Sequence, residues 1–215
     1  MSLLKNRLTD KLQLKLRRKR FDFFISLLRL VDKPVRILDI GGTFKYWETM
    51  GLKDLKDIHI TLLNLELFET KNSNFQSVKA DAKNLKNYKD QHFDIVFSNS
   101  VIEHLESFDD QKKMANEAKR VGKKYFIQTP NFWFPIEPHY RVLGFQFLSK
   151  RLKILIFRHF DNRLMKKIAD KNLAEKEAKR IRLLNLTELK KLFPEANIYK
   201  EKILGLTKSI IMYKW

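Results

Sequence analysis

The chain has 215 residues, 44% of them hydrophobic, and a formal net charge of +19. That length suits one domain with a real buried core, and the lack of cysteine excludes disulfides and thiolate metal sites, in keeping with a reducing compartment. The charge is uneven: residues 1–20 carry eight Lys/Arg against one Asp, residues 21–140 hold seventeen of each sign, and residues 141–185 carry thirteen against four. An N-terminal arm and one late segment therefore face something acidic or simply face water.

No apolar run approaches the ~20 residues of a spanning helix. FDFFISLLRLV is broken by Asp22 and Arg29 and lacks a small-residue cleavage site, so neither a transmembrane nor a signal segment is expected. After the arm, Phe21, Phe24, Ile25, Leu28 and Val31 stand at helical spacing, which predicts an amphipathic helix ended by Pro34. VRILDIGG (35–42) is a short apolar run closed by two glycines, a strand buried on both faces followed by a tight turn. IHITLLNLE (58–66) and FQSVKAD (75–81) give a second and a third strand.

HFDIVFSNS (92–100) is the clearest strand, and ESFDDQKKMANEAKRV after it is a helix with acids at its start, where the helix dipole favours them. KKYFIQTP (123–130) is the fifth strand. A short helix over LTELKKLFPEA precedes NIYKEKIL and SIIMYKW, a closing antiparallel hairpin. Strands alternating with helices or connections predict an α/β, doubly wound Rossmann-like sheet of about seven strands. Residues 131–185 are far longer than an ordinary connection and form a helical, basic insertion after the fifth strand. It opens with NFWFPIEPHY, whose prolines stiffen the backbone and whose aromatics are expected to pack rather than stack on a ligand.

In open α/β sheets ligands bind outside the carboxyl ends of the strands. Here those ends read DIGGT, LNLE, KADA and SNSVIEHL, in that order. ILDIGGT, LLNLE, KADAKNL and HFDIVFSNSVIEHL, followed by the closing hairpin, resemble the class I S-adenosylmethionine-dependent methyltransferases, across nearly the whole chain from Arg36 to Trp215. The GGTFKYW loop together with TPNFWFPIEPHY is similar to a bacterial, type 11-like subgroup associated with surface-glycan or lipid-linked pathways. The resemblance implies S-adenosyl-L-methionine as cofactor. Its contacts would be Asp39, Gly41, Gly42 and Thr43 at the first strand, Asn64 and Glu66 at the ribose end, Asp81 and Ala82 at the adenine end, and Asn99 at the fourth strand. Thr43 and Lys45 stand where the family's loop has its second and third glycines.

A sulfonium methyl is already activated, so the chain has mainly to align an acceptor and exclude water. His104, Glu137 and His139 are the candidates for removing an acceptor proton, and no metal-ligand set is assigned. Each also has a structural reading, as a cap, a packing group or a loop support. The single domain divides into a basic arm and helix (1–33), the sheet, and an insertion or lid (131–185). The expected acceptor is a small molecule or a glycan or lipid-linked compound, in a cytoplasmic protein or one peripheral to the inner membrane surface. RNA is a weaker alternative supported only by charge, since no RNA-binding module or stacking motif is evident. A non-catalytic member of the fold that binds an anionic partner or membrane is a third reading, with Thr43 and Lys45 as its support.

Overall fold

A computed structural model describes residues 2–51, 56–70, 72–162 and 164–215, with side chains from Lys11 onward except Leu12. Its centre is a seven-stranded sheet of β1 (Val35–Ile40), β2 (Ile58–Asn64), β3 (Phe75–Lys79), β4 (Phe93–Asn99), β5 (Gly122–Pro130), β8 (Asn197–Ile203) and β9 (Leu206–Lys214). The strand order is β3-β2-β1-β4-β5-β9-β8, with β9 antiparallel to both of its neighbours and the first five strands parallel. Order reverses between β1 and β4, which opens a crevice at their carboxyl ends. The expected α/β doubly wound sheet and its closing hairpin are both present.

Strand periodicity assigns the faces. Val35 and Ile37 of β1, Ile60 and Leu62 of β2, Ile95 and Phe97 of β4 and Phe126 of β5 share one apolar layer with α1 (Ser2–Leu28) and α2 (Phe44–Thr49). Leu38, Ile40, Val96, Tyr125 and Ile127 point the other way, onto α3 (Phe108–Val121) and α6 (Leu186–Leu192). Phe24 is fully buried within ring-to-ring reach of Trp47, Phe97 and Phe126. Helix α3 starts on Ser107, whose hydroxyl accepts from the Asp110 N–H, with Asp109 and Asp110 in its first turn and Lys119 and Arg120 in its last.

The basic arm is part of α1, and its Arg20 turns inward: buried Nε lies 3.3 Å from buried Glu201 of β8. The helix stops at Leu28, six residues before Pro34, with its last turn tightened by Leu30 N–H to Leu27 and Val31 N–H to Leu28. Segment 131–185 holds a small hairpin that the sequence did not announce, β6 (Ile136–Glu137) with β7 (Val142–Leu143), then α4 (Lys150–His159) and α5 (Lys171–Lys179). Tyr140, Phe145, Phe157, Met165 and Ala174 give this segment an apolar cluster of its own. Among the described residues no helix is long and apolar enough to cross a membrane.

Candidate functional site at the carboxyl edge of the sheet

Two stations lie along the carboxyl edge. The first is a cleft of about 370 Å3 lined by Asp39, Gly41, Gly42, Thr43, Asn99 and Ser100, with Arg17 from α1, Tyr46 from α2 and Met50 just after it. Asp39 and Asn99 follow the parity of Ile37 and Phe97, so both strand ends present their side chains on the α1/α2 face. Asp39 is 1% exposed, and its Oδ2 accepts from Trp47 Nε1 at 2.6 Å. Burial, offset in part by that bond, pushes its carboxyl up to about 8. Gly41 has φ +72°, and a side chain there would meet Val101 Cγ2 at 2.5 Å; at Gly42 a Cβ would lie 1.7 Å from Asp39 Oδ2. Both glycines are therefore obligatory: the first for its backbone and neighbour, the second because its Cα covers the acid.

Other expected contacts resolve differently. Thr43 caps α2 by accepting from the Tyr46 N–H. Asn64 Nδ2 donates to the Gly42 carbonyl at 2.8 Å, so it braces the glycine turn and leaves its Oδ1 open as an acceptor. Glu66 lies beyond the end of β2, exposed and without a partner among the described residues. Asp81 turns to Lys83, accepting from its N–H at 2.9 Å with the ammonium 3.6 Å away, and Ala82 packs against the core. Asn99 keeps a carboxamide with no side-chain bond among the described residues. A cleft of this volume, with a glycine cradle and one free amide, fits a small-molecule ligand.

The second station joins β5, the one-turn 3-10 helix Ile102–His104 and the β6–β7 hairpin. Glu103 is fully buried; its Oε2 accepts from Thr129 Oγ1 at 2.9 Å, while its Oε1 has no hydrogen-bond partner. Burial pushes its carboxyl up to about 7, against its own backbone N–H, His139 and Thr129. Glu137 is buried and accepts three bonds, from the His139 and Tyr140 backbone N–H groups and from His139 Nδ1 at 2.7 Å. His139 Nε2 then stands 4.0 Å from Glu103 Oε1, and its ring meets that of His104 edge-on at 5.0 Å. Partial burial, followed by repulsion from His139 and Arg180, pulls the His104 imidazole below its ordinary range although the residue as a whole is exposed.

The structure thus gathers all three expected proton-handling residues, His104, Glu137 and His139, and adds Glu103, which the sequence reading passed over. Beside them is a second cavity of about 340 Å3 whose walls include Glu137, Tyr140, Gln146, Lys153, Glu177 and Arg182. Gln146 spends its Nε2 on the Phe134 and Phe132 carbonyls and leaves its buried Oε1 unpartnered. Lys153 reaches the Gln146 carbonyl at 3.4 Å, and burial, countered by Glu137, draws its ammonium below the usual range. Trp133, by contrast, is 64% exposed and stacks loosely with Phe147, so that aromatic is not the packing group expected of it.

This arrangement, a parallel sheet with a reversed seventh strand and a glycine cradle at the β1/β4 switch, is that of the class I methyltransferase fold. A family model described as a methyltransferase domain matches residues 38–125, the stretch from β1 into β5. Two Mycobacterium tuberculosis proteins, from strains CDC 1551 and H37Rv, are 33% identical over 70 residues; the alignment spans 33% of this chain and 23% of theirs. A Methanosarcina mazei structure described as a SAM-dependent methyltransferase superposes with TM-score 0.53 at 12% identity, over 87% of this chain and 94% of its own. An S-adenosylmethionine-dependent methyltransferase from Clostridium acetobutylicum superposes with TM-score 0.53 at 12% identity, over 93% and 90%. Residues 38–125 thus match a methyltransferase domain, and the strand order is that of the class I methyltransferase fold.

Proposed function

We propose that the chain is an S-adenosylmethionine-dependent methyltransferase acting on a small-molecule, glycan or lipid-linked acceptor held under segment 131–185. The observation that carries this reading is the cleft at β1 and β4, where Asp39, Gly41, Gly42 and Asn99 converge inside the stretch matched by the domain model. The cofactor supplies a methyl group already activated on its sulfonium. Gly41 and Gly42 let the backbone approach it, Asn64 holds that turn in place, and Asn99 offers a free amide. On the acceptor side His139, oriented through Nδ1 by Glu137, presents Nε2 as the group that takes a proton, with His104 alongside.

The adjoining cavity supports a polar acceptor with an anionic portion. Gln146 Oε1 awaits a donor, and the Lys153 ammonium, though it feels the Glu137 carboxylate, makes no direct ion pair among the described residues. A peripheral position on an anionic membrane is favoured by the same segment's outer surface. Trp133, Leu143, Phe147, Leu155 and Phe160 are all exposed on a piece whose residues 141–185 carry thirteen Lys/Arg against four acids.

Calorimetry with S-adenosylmethionine or its demethylated product is the direct test. We expect binding that Gly41→Val abolishes, through the clash with Val101; no binding at millimolar ligand would sink the reading. A mass search for a gain of about one methylene in extracts given cofactor identifies the acceptor. Labelled RNA in that search, with affinity falling steeply in salt, would move the acceptor to nucleic acid.

A further inference from the structure

We propose that Glu103, His104 and His139 form a binding site for one divalent transition-metal ion of the zinc type. One carboxylate oxygen and one ring nitrogen from each histidine lie within 4.8 Å of one another. Glu103 Oε1 is buried and unpartnered, a state native structures rarely leave without a water or an ion. The 4.0 Å between it and His139 Nε2 is too long for a hydrogen bond and matches two groups converging on a third. In a tetrahedral site with bonds of about 2.0–2.2 Å, ligand atoms stand roughly 3.3–3.6 Å apart, so the three groups need to close by about an ångström. His104, on the exposed side, has room to supply that movement.

The surroundings are those of a ligating histidine. Glu137 Oε1 holds His139 Nδ1 at 2.7 Å while its Oε2 accepts from two backbone N–H groups, which fixes the carboxylate, sets the tautomer and aims Nε2 at Glu103. Thr129 likewise pins the far oxygen of Glu103 at 2.9 Å. Two imidazoles and a carboxylate suit a borderline cation better than magnesium or calcium, which prefer all-oxygen shells. Two carboxylates, Glu103 and Glu137, balance its charge. Three protein ligands leave a position for an acceptor oxygen, as a hydroxyl or carboxylate; with the ion bound, His139 Nε2 is a ligand, and the ion rather than that nitrogen would acidify the acceptor. That role, though not the binding of metal, rests on the methyltransferase reading.

The experiment uses the full chain without a histidine tag, stripped with chelator and titrated with Zn2+ by calorimetry and with Co2+ by visible absorption. We expect about one equivalent bound and a Co2+ d–d band, both lost in His139→Ala and Glu103→Gln. Glu137→Gln, which removes no ligand, should weaken binding by about 10–100-fold. His92→Ala, at the opposite end of β4, is the control and should change nothing. Absence of stoichiometric binding to the unaltered chain overturns the site, and so does binding that survives both ligand substitutions, which would be an adventitious ion only. Because the unaltered chain is tested first, a variant that fails to fold cannot rescue or sink the site. Metal bound without any affinity for S-adenosylmethionine would sink the cofactor reading and leave the site standing; the reverse would sink the site alone.

Discussion

Asp39 and Glu103 are two buried acids on the same edge of one sheet, and they are held in opposite ways. Asp39 is closed in: Trp47 donates to it, Gly42 lies over it, and no room is left between carboxyl and backbone. Glu103 is half satisfied, with Thr129 on one oxygen and a gap of 4.0 Å to His139 on the other. Leaving a buried polar atom unmade costs about 1–3 kcal/mol. Such a cost is tolerated at a working position and removed at a framework position. Asp39 therefore shapes the cleft as part of its wall, whereas Glu103 keeps a free oxygen for something the protein must receive.

The comparison breaks most severely at Gly42. Gly42→Val drives a Cβ into Asp39 Oδ2, and we expect about 3 kcal/mol of destabilisation, the upper end for overpacking, with cofactor affinity lost in calorimetry. Trp47→Phe removes the sole side-chain donor given to Asp39 among the described residues and should cost about 1–3 kcal/mol in urea unfolding. Thr129→Val should cost less, about 1 kcal/mol, because Glu103 already has one oxygen unpaired; equal costs would erase the distinction drawn between the acids.

Acidity sharpens the contrast further. Asp39 titrates near 8 in the native state and near 4 unfolded, so the native protein holds a proton that the unfolded chain has released between those values. Its contribution is fully present below about pH 4 and is lost as pH rises through about 8. Thermal melts from pH 5 to 9 should show Tm falling across that window; Glu103, raised to about 7, contributes to its lower part, so Asp39→Asn should flatten chiefly the fall between about pH 7 and 8. Tyr46 and Arg17 line the same cleft and remain in both proteins, so a slope unchanged by the substitution would assign it elsewhere. The smallest effect lies far from either acid. Leu204 is almost fully exposed at φ 47°, paired with Gly205 at φ 81° in the β8–β9 turn; Leu204→Asn should gain about 1 kcal/mol or less in the same melts.

Much of this architecture was legible because the buried centres of β1, β2, β4, β5 and β9 read as short apolar runs, whereas β3 and β8, largely half-buried or exposed, were legible only from their place beside those runs. The glycine turn was legible too, since Gly41 and Gly42 have no alternative residue. What escaped was pairing across distance. Nothing local says that Asn64 spends its amide on Gly42, or that Glu66 falls past the strand end. Trp47 stands eight residues after Asp39, and only the turn of α2 brings its indole back to the acid. Glu103 was overlooked beside His104 because a buried carboxylate and an exposed one look alike in a sequence. The available signal was its neighbour Ile102, buried in the same one-turn helix, opposite a Thr in the buried stretch of β5. The β6–β7 hairpin was hidden by two-residue strands too short to show alternation.

The Arg20–Glu201 contact has a consequence for how the chain assembles. Helix α1 precedes every strand of the sheet, yet its buried arginine meets Glu201 of β8, and the ring of Phe23, stacked 4.7 Å from Tyr199 of β8, also touches Tyr213 of β9 and Phe126 of β5. During synthesis one face of the sheet must therefore stand uncovered, or covered only provisionally, until the closing hairpin has emerged. Closure joins α1 to β8, and removing β8 would strip α1 of the partner of its buried Arg20.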